Sequence, residues 1–212
     1  MKGGRKSTWE NALETAYQLA VQELKNLVPE DIALRSGCPF KGGYFEVPFL
    51  GILHHVTFPE GVVFEGERQP SRLRQVLILH YLIQAKGTEP EGRWVDFRKL
   101  PGGEVYYPVF KGRIIYPMLK LFAGRPQSLM EASGAMGGRP LGFGDVSVAF
   151  RAFPRVEVAF GIWSGSEEFG PEGFVLFDPI VTDYLSTEDA IWLCHEILAR
   201  LKGIKDGRIR GI

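Results

Sequence analysis

Residues 145–163 read DVSVAFRAFPRVEVAFGIW, two apolar runs of strand character joined only by Pro154 and Arg155. A parallel crossover needs a dozen or more residues, so runs this close must pair antiparallel as a hairpin. DVSVAFRAF alternates strictly, which predicts a strand with one wet face. VEVAFGIW is more continuously apolar, which predicts a strand covered on both faces. Whatever fold the chain adopts has to bury that hairpin. With 212 residues, 45% of them hydrophobic, the chain can build one substantial core, and one domain is expected.

The other elements follow from caps and periodicity. Ser7 and Glu10 form a capping box, and apolar residues from Trp9 to Leu27 recur at helical spacing until Pro29. The runs YFEVPF, ILHHVTF and VVFE predict a small antiparallel meander. Ser71 caps LRQVLILHYLIQA, apolar on more than one face and so a buried central helix ending by Gly87. After the turn LPGGE, Pro108 and Pro117 interrupt YYPVFKGRIIYPMLKLFAG, which predicts two short helices or one kinked one. Pro126 and Gly137 bracket another helix; Ser186 with Asp189 caps the last, which Gly203 is expected to stop before a frayed tail, KDGRIRGI. The fold class is therefore α+β: a single domain over residues 1–204, with an N-terminal meander, a C-terminal hairpin and about five helices, followed by a basic tail at 205–212.

Several classes are disfavoured. No window is long and apolar enough to span a bilayer, and the N-terminal residues turn polar rather than into an apolar leader, so a cytoplasmic location without membrane attachment is expected. Cys38 and Cys194 stand far apart with no Cys-x-x-Cys pair, which predicts two reduced thiols. Net charge is zero, from 25 basic and 25 acidic residues, which argues against nucleic acid as a partner. The distribution is uneven: nine acidic residues and no Lys or Arg lie between Val156 and Ala199, whereas Arg93 to Arg155 carries ten basic residues against four acidic. Either the two stretches neutralise each other, or the acidic one lines a site for a small molecule or a protein partner.

The glycine-rich GGRPLGFGD follows a helix and leads into a strand, the reverse of a phosphate loop, and is a connector. His54 and His55, adjacent on a strand, face opposite ways, and His80 and His195 belong to separate helices, so no metal motif assembles. No nucleophile elbow occurs. The densest constellation is IWSGSEEFGPEGFVLFDPIVTDYL, where Trp163, Phe169, Phe177, Asp183 and Tyr184 are candidates for a binding pocket. In the same stretch Glu167 or Glu168 with Asp178 could form an acid/base pair, or hold a divalent cation through oxygen ligands. A polar loop over an aromatic core is the plain alternative, and no cofactor is specified.

The succession HYLIQAKGTEPEGRWVDFRKLPGGEVYY, GAMGG, GFGDVSVAFRAFPRVEVAFGIWSGSEEF and LFDPIVTDYLSTED resembles a prokaryotic family, domain of unknown function 3786, over about residues 9 to 201. This sequence departs from the family's pattern at Ser166, where an Asp is usual, and at Gly170 and Ser186, where Pro is usual. The first departure removes a carboxylate from the box Ser166–Phe169. Carboxylates and aromatic rings gathered without a nucleophile or metal motif lead to a non-catalytic ligand-binding module; the resemblance implies an accessory role near anaerobic corrinoid or redox chemistry, since relatives concentrate in anaerobes and some carry an iron-sulfur domain similar to that of corrinoid proteins.

Overall fold

The hairpin at 145–163 forms the centre of a five-stranded antiparallel sheet in the computed structural model, which describes residues 7–166 and 168–209. Strands β7 (Val146–Phe153) and β8 (Val156–Trp163) pair from Val146↔Ile162 to Phe153↔Val156. Beside β8 lies β9 (Glu172–Phe177), with β5 (Val95–Asp96) beyond it, and β6 (Arg139–Pro140) closes the other edge. The strict alternation of β7 predicts a wet face, but only Arg151 is exposed. Its intervening residues, Ser147, Ala149 and Ala152, are small enough to lie under the elements that cover the sheet.

The meander is also present. Strands β1 (Phe40–Lys41), β2 (Tyr44–Phe49), β3 (Ile52–Thr57) and β4 (Val63–Phe64) form a four-stranded sheet in chain order. Leu50 and Gly51 join β2 to β3 with φ of 49° and 79°, the two positive values that a tight hairpin turn requires. Leucine rarely takes such a φ. Here both its backbone groups are engaged: its N–H donates to Ala152 O at 2.9 Å, and its carbonyl accepts from the buried Arg200 Nη1 at 2.7 Å. That turn pins the first sheet onto β7.

Seven α-helices occur among the described residues, where about five were expected. The expected first helix is α1 (Thr8–Leu24), with its Ser7–Glu10 capping box, and an additional one, α2 (Pro29–Ser36), starts at the proline and ends on Gly37 in the left-handed region. Helix α3 (Arg72–Gln84) is central, with every residue from Gln75 to Ile83 buried except His80. Its Tyr81 stacks on Phe153 at 4.1 Å and on Tyr184 at 5.5 Å. The proline-interrupted run becomes α4 (Gly103–Phe110), a π-helical turn (Lys111–Ile115) and α5 (Tyr116–Phe122). Neither Pro108 nor Pro117 has an N–H to give, and the π turn, closed by Tyr116 N–H to Lys111 O, re-phases the helix between them. Then come α6 (Gln127–Gly134) and α7 (Thr187–Lys205).

Gly203 does not stop α7, which runs on to Lys205. As far as Ile209 the tail is held in place: the Arg208 and Ile209 amides donate back to Gly203 O, and the Ile209 side chain lies over Gly203; the rest of KDGRIRGI, 210–212, lies outside the described residues. Both cysteines are buried free thiols, and burial pushes the pKa of Cys38 up to about 12. No described helix is long and apolar enough to cross a membrane.

Candidate functional site

Strand β9 divides the residues singled out in the sequence into two groups, about 17 Å apart by the rise of a six-residue strand. At its start, opposite Glu172, Trp163 ends β8 and is 51% exposed. The turn after it is closed locally: Ser164 N–H donates to Asp145 Oδ2 at 2.6 Å, Ser166 N–H to Phe169 O at 2.8 Å, and Ser166 Oγ accepts from the amides of Glu168 and Phe169. Glu168 and Phe169 both face solvent, and Glu167 lies outside the described residues. The Ser164 amide holds the Asp145 carboxyl below the ordinary carboxylate range.

At the other end of β9, Phe177 and Tyr184 are fully buried in the core. Asp178 is buried too, and every hydrogen bond to its carboxylate comes from backbone: Oδ2 from Gly92 N–H at 2.9 Å, Oδ1 from Glu91 at 3.3 Å and Ile180 at 3.2 Å. Asp183 accepts from Thr88 Oγ1 at 2.6 Å and Lys86 Nζ at 2.9 Å, and these two contacts lower its pKa in that order. The Tyr184 hydroxyl donates to Thr88 O. Together these groups staple the segment after α3 to the end of β9. The structure does not bring Glu168 to Asp178, and among the described residues no three His, Cys, Asp or Glu side chains converge as metal ligands.

The acidic stretch is neutralised mostly by a part of the chain other than the basic one beside it in sequence. Glu157 alone pairs across the hairpin, with Arg139 at 3.2 Å and Arg151 at 3.4 Å. Asp183, Asp189 and Glu196 pair with Lys86, His80 and Arg74, on α3 and just after it. Of the basic residues of 93–155, Arg93, Arg98, Arg125 and Arg155 pair instead with Glu91, Asp96, Glu131 and Glu89, outside the acidic stretch.

Arg113 and Lys120 lie along α7. Trp192 is packed by Trp9 at 4.4 Å and by the Arg113 guanidinium at 5.1 Å, with His195 edge-on at 5.8 Å. Between α5 and α7 runs a cleft of about 610 Å³, in the size range of small-molecule sites. Its rim holds Arg113, Lys120, His195 and Lys202, and its floor is Pro117, Leu121, Leu198 and Ala199. Among the described residues no carboxylate lines it. A smaller cleft continues from Arg113 towards the start of α7, beside the exposed Tyr106 and Val109. The π turn matters here, because it carries Arg113 into the place where the two clefts meet.

Past the first turn of α7, a third cleft opens against α1 and α3. There the buried Asp189 accepts from His80 Nδ1 at 2.8 Å and from Ser186 Oγ at 2.6 Å. Burial pushes the Asp189 carboxyl up, but the hydrogen bonds and charge of His80 and the bonds from Ser186 outweigh it, so its pKa lies below the ordinary value of 3.8. A depressed carboxylate adds stability that is present above its unfolded pKa and lost as pH falls through the folded one. Asp189→Asn should accordingly cost about 1–3 kcal/mol near neutral pH, and the difference from wild type in urea melts should vanish on acidification below the ordinary carboxylate range.

Sequence reasoning placed His80 and His195 on separate helices and did not assemble the α7 clefts, whose residues come from α1, α3, α4, the π turn, α5 and α7. One signal was available: Glu188, Ile191, His195, Leu198 and Lys202 recur at helical spacing, a mixed polar and apolar stripe beside the wholly buried one. A family model described as Domain of unknown function (DUF3786) matches residues 28–200. No curated protein and no solved structure matches the chain.

Proposed function

We propose a function from geometry, since the chain belongs to the DUF3786 family and that family's description assigns no activity: a binding module whose cleft between α5 and α7 takes an anionic ligand with an apolar body. The observation that carries this reading is the composition of the cleft: Arg113, Lys120, Lys202 and His195 around an apolar floor, with no carboxylate among its described lining residues. Basic side chains gathered around one cleft favour an anion, and the floor rewards an apolar group attached to it. The accessory role near corrinoid or redox chemistry that the resemblance implies is a finer reading of the same cleft. A cytoplasmic location fits the two unpaired thiols.

The test uses anilinonaphthalene sulfonate, an anion on an aromatic body, against its uncharged relative N-phenylnaphthylamine. Saturable fluorescence is expected with the sulfonate, and Arg113→Ala with Lys202→Ala should weaken it about tenfold or more, the equivalent of roughly 1.4 kcal/mol. Equal binding of the uncharged probe, or unchanged binding by the double variant, would sink the reading. Thermal shift with carboxylates, phosphates, nucleotides and corrinoids then ranks natural ligand classes, because whatever binds only the folded state raises the melting temperature.

A further inference from the structure

We infer that the occupant of the anionic cleft is a segment of a partner protein: one amphipathic helix, with acidic residues beside its apolar face at one end, laid along the groove that α4 and α5 form with α7. The inference rests on the anionic reading of that cleft and names what fills it. The cleft of about 610 Å³ between α5 and α7 is continued by one of about 330 Å³ between α4 and α7, and Arg113 lines both. Along the first wall Tyr106, Val109, Arg113, Pro117 and Lys120 follow at intervals of three or four residues, and the wider π turn keeps them in line. Along the second, Glu188, Ile191, His195, Leu198 and Lys202 recur in the same way on α7. Each wall therefore runs for about 21 Å, the length of roughly four helical turns.

Three observations select this occupant. First, Val105 and Tyr116 are exposed and line neither cleft, although Val105 stands one turn before Val109 and Tyr116 is next to Pro117. A small anion seated between α5 and α7 leaves both in water, whereas a helix resting on the rim covers them together with the exposed Tyr106 and Val109. Second, both walls are helical and offer no strand edge for an extended segment to pair with. A helix arrives with its own amides and carbonyls already bonded. Third, charge is polarised along the groove: Arg113, Lys120 and Lys202 stand in the α5 half and Glu188 at the far end. Carboxylates on the half of the helix above α5 complement that pattern. A second copy docking by the same face would set one basic cleft against another, and a flat lipid surface would reach the rim but not the floor.

The probe is a fluorescently labelled peptide of about 15 residues, enough for four turns, with leucines on one helical face, glutamates beside them in one half and glutamines in the other. Its anisotropy is followed as the full chain is added. Saturable binding is expected, weaker by about tenfold or more when the glutamates are replaced by lysines or when two central prolines break the helix. Val105→Gln with Tyr116→Gln, at two exposed positions outside the α5 cleft, should weaken the peptide about tenfold and leave anilinonaphthalene sulfonate binding unchanged. No binding of the acidic peptide, equal binding of the lysine or proline peptide, or an unaffected double variant would each overturn the inference. If the sulfonate still binds in those cases, the anionic reading stands; if it does not, both fall. Binding to phosphatidylglycerol vesicles that the peptide does not displace, or a dimer dispersed by the same double variant, would overturn the inference in favour of a membrane or a second copy.

Discussion

Tyr81→Ala is expected to lose about 3–5 kcal/mol of unfolding free energy, the range for removing a large buried aromatic. Tyr81 is fully buried, and its ring is stacked on Phe153 from β7 and on Tyr184 from the segment after β9. Its hydroxyl donates to Ser36 O at 2.5 Å and accepts from Arg155 N–H at 3.3 Å. One side chain therefore ties α2, α3, the hairpin turn and the end of the sheet. Tyr81→Phe separates the two contributions: it keeps the stack and leaves the Ser36 carbonyl and the Arg155 amide short of a partner, for about 1–3 kcal/mol. Urea denaturation of both variants checks the ratio, and equal losses would mean that the hydroxyl, not the ring, carries the effect.

Gly103→Ala should be nearly as damaging, at about 3 kcal/mol or more, through overpacking that no rotamer relieves. A Cβ there would stand 2.0 Å from Phe97 O and 3.2 Å from the Arg98 Cα. Both obstacles are backbone, so the turn from the 3-10 segment Phe97–Lys99 into α4 would have to open. The neighbouring Gly102 gives a contrast. It has φ of 71° and nothing closer than the Tyr106 ring at 3.8 Å, so Gly102→Ala costs only the backbone strain, about 1 kcal/mol. Melting temperatures of the two alanine variants should differ accordingly, and a Gly103→Ala protein as stable as Gly102→Ala would contradict the close approach.

What could be read from the sequence was local. The hairpin, the meander, the Ser7, Ser71 and Ser186 caps, and the proline-broken helix all depend on neighbours in the chain, and all are present. Strand β9 went unread because EGFVLF is short and was absorbed into an aromatic, acidic stretch, although it pairs with β8 along its whole length. Helix α2 carries several terminal signals, with Pro29 first, Glu30 and Asp31 in the first turn and Gly37 after it, but no side-chain cap at Val28. Only Ile32 among its apolar residues is buried deeply, so it has almost no periodicity to show. The site was harder for a different reason. Asp178 and Asp183 look like chemistry in one dimension, and become staples once the loop after α3 is folded onto them. His80 looks structural until Asp189 is brought to its Nδ1.

Strand β5 has a consequence for the order in which the protein can be assembled. Val95 and Asp96 pair with Phe177 and Leu176, so on a ribosome β5 emerges long before the strand that completes it. The meander, whose strands each pair with the next in the chain, closes as it is made. The second sheet instead waits for its C-terminal strand, and closing so long a loop carries an entropic cost that grows with the logarithm of its length. During synthesis the edge of β8 and the segment that Asp178 and Asp183 will anchor stay open together, and β9 covers both when it arrives.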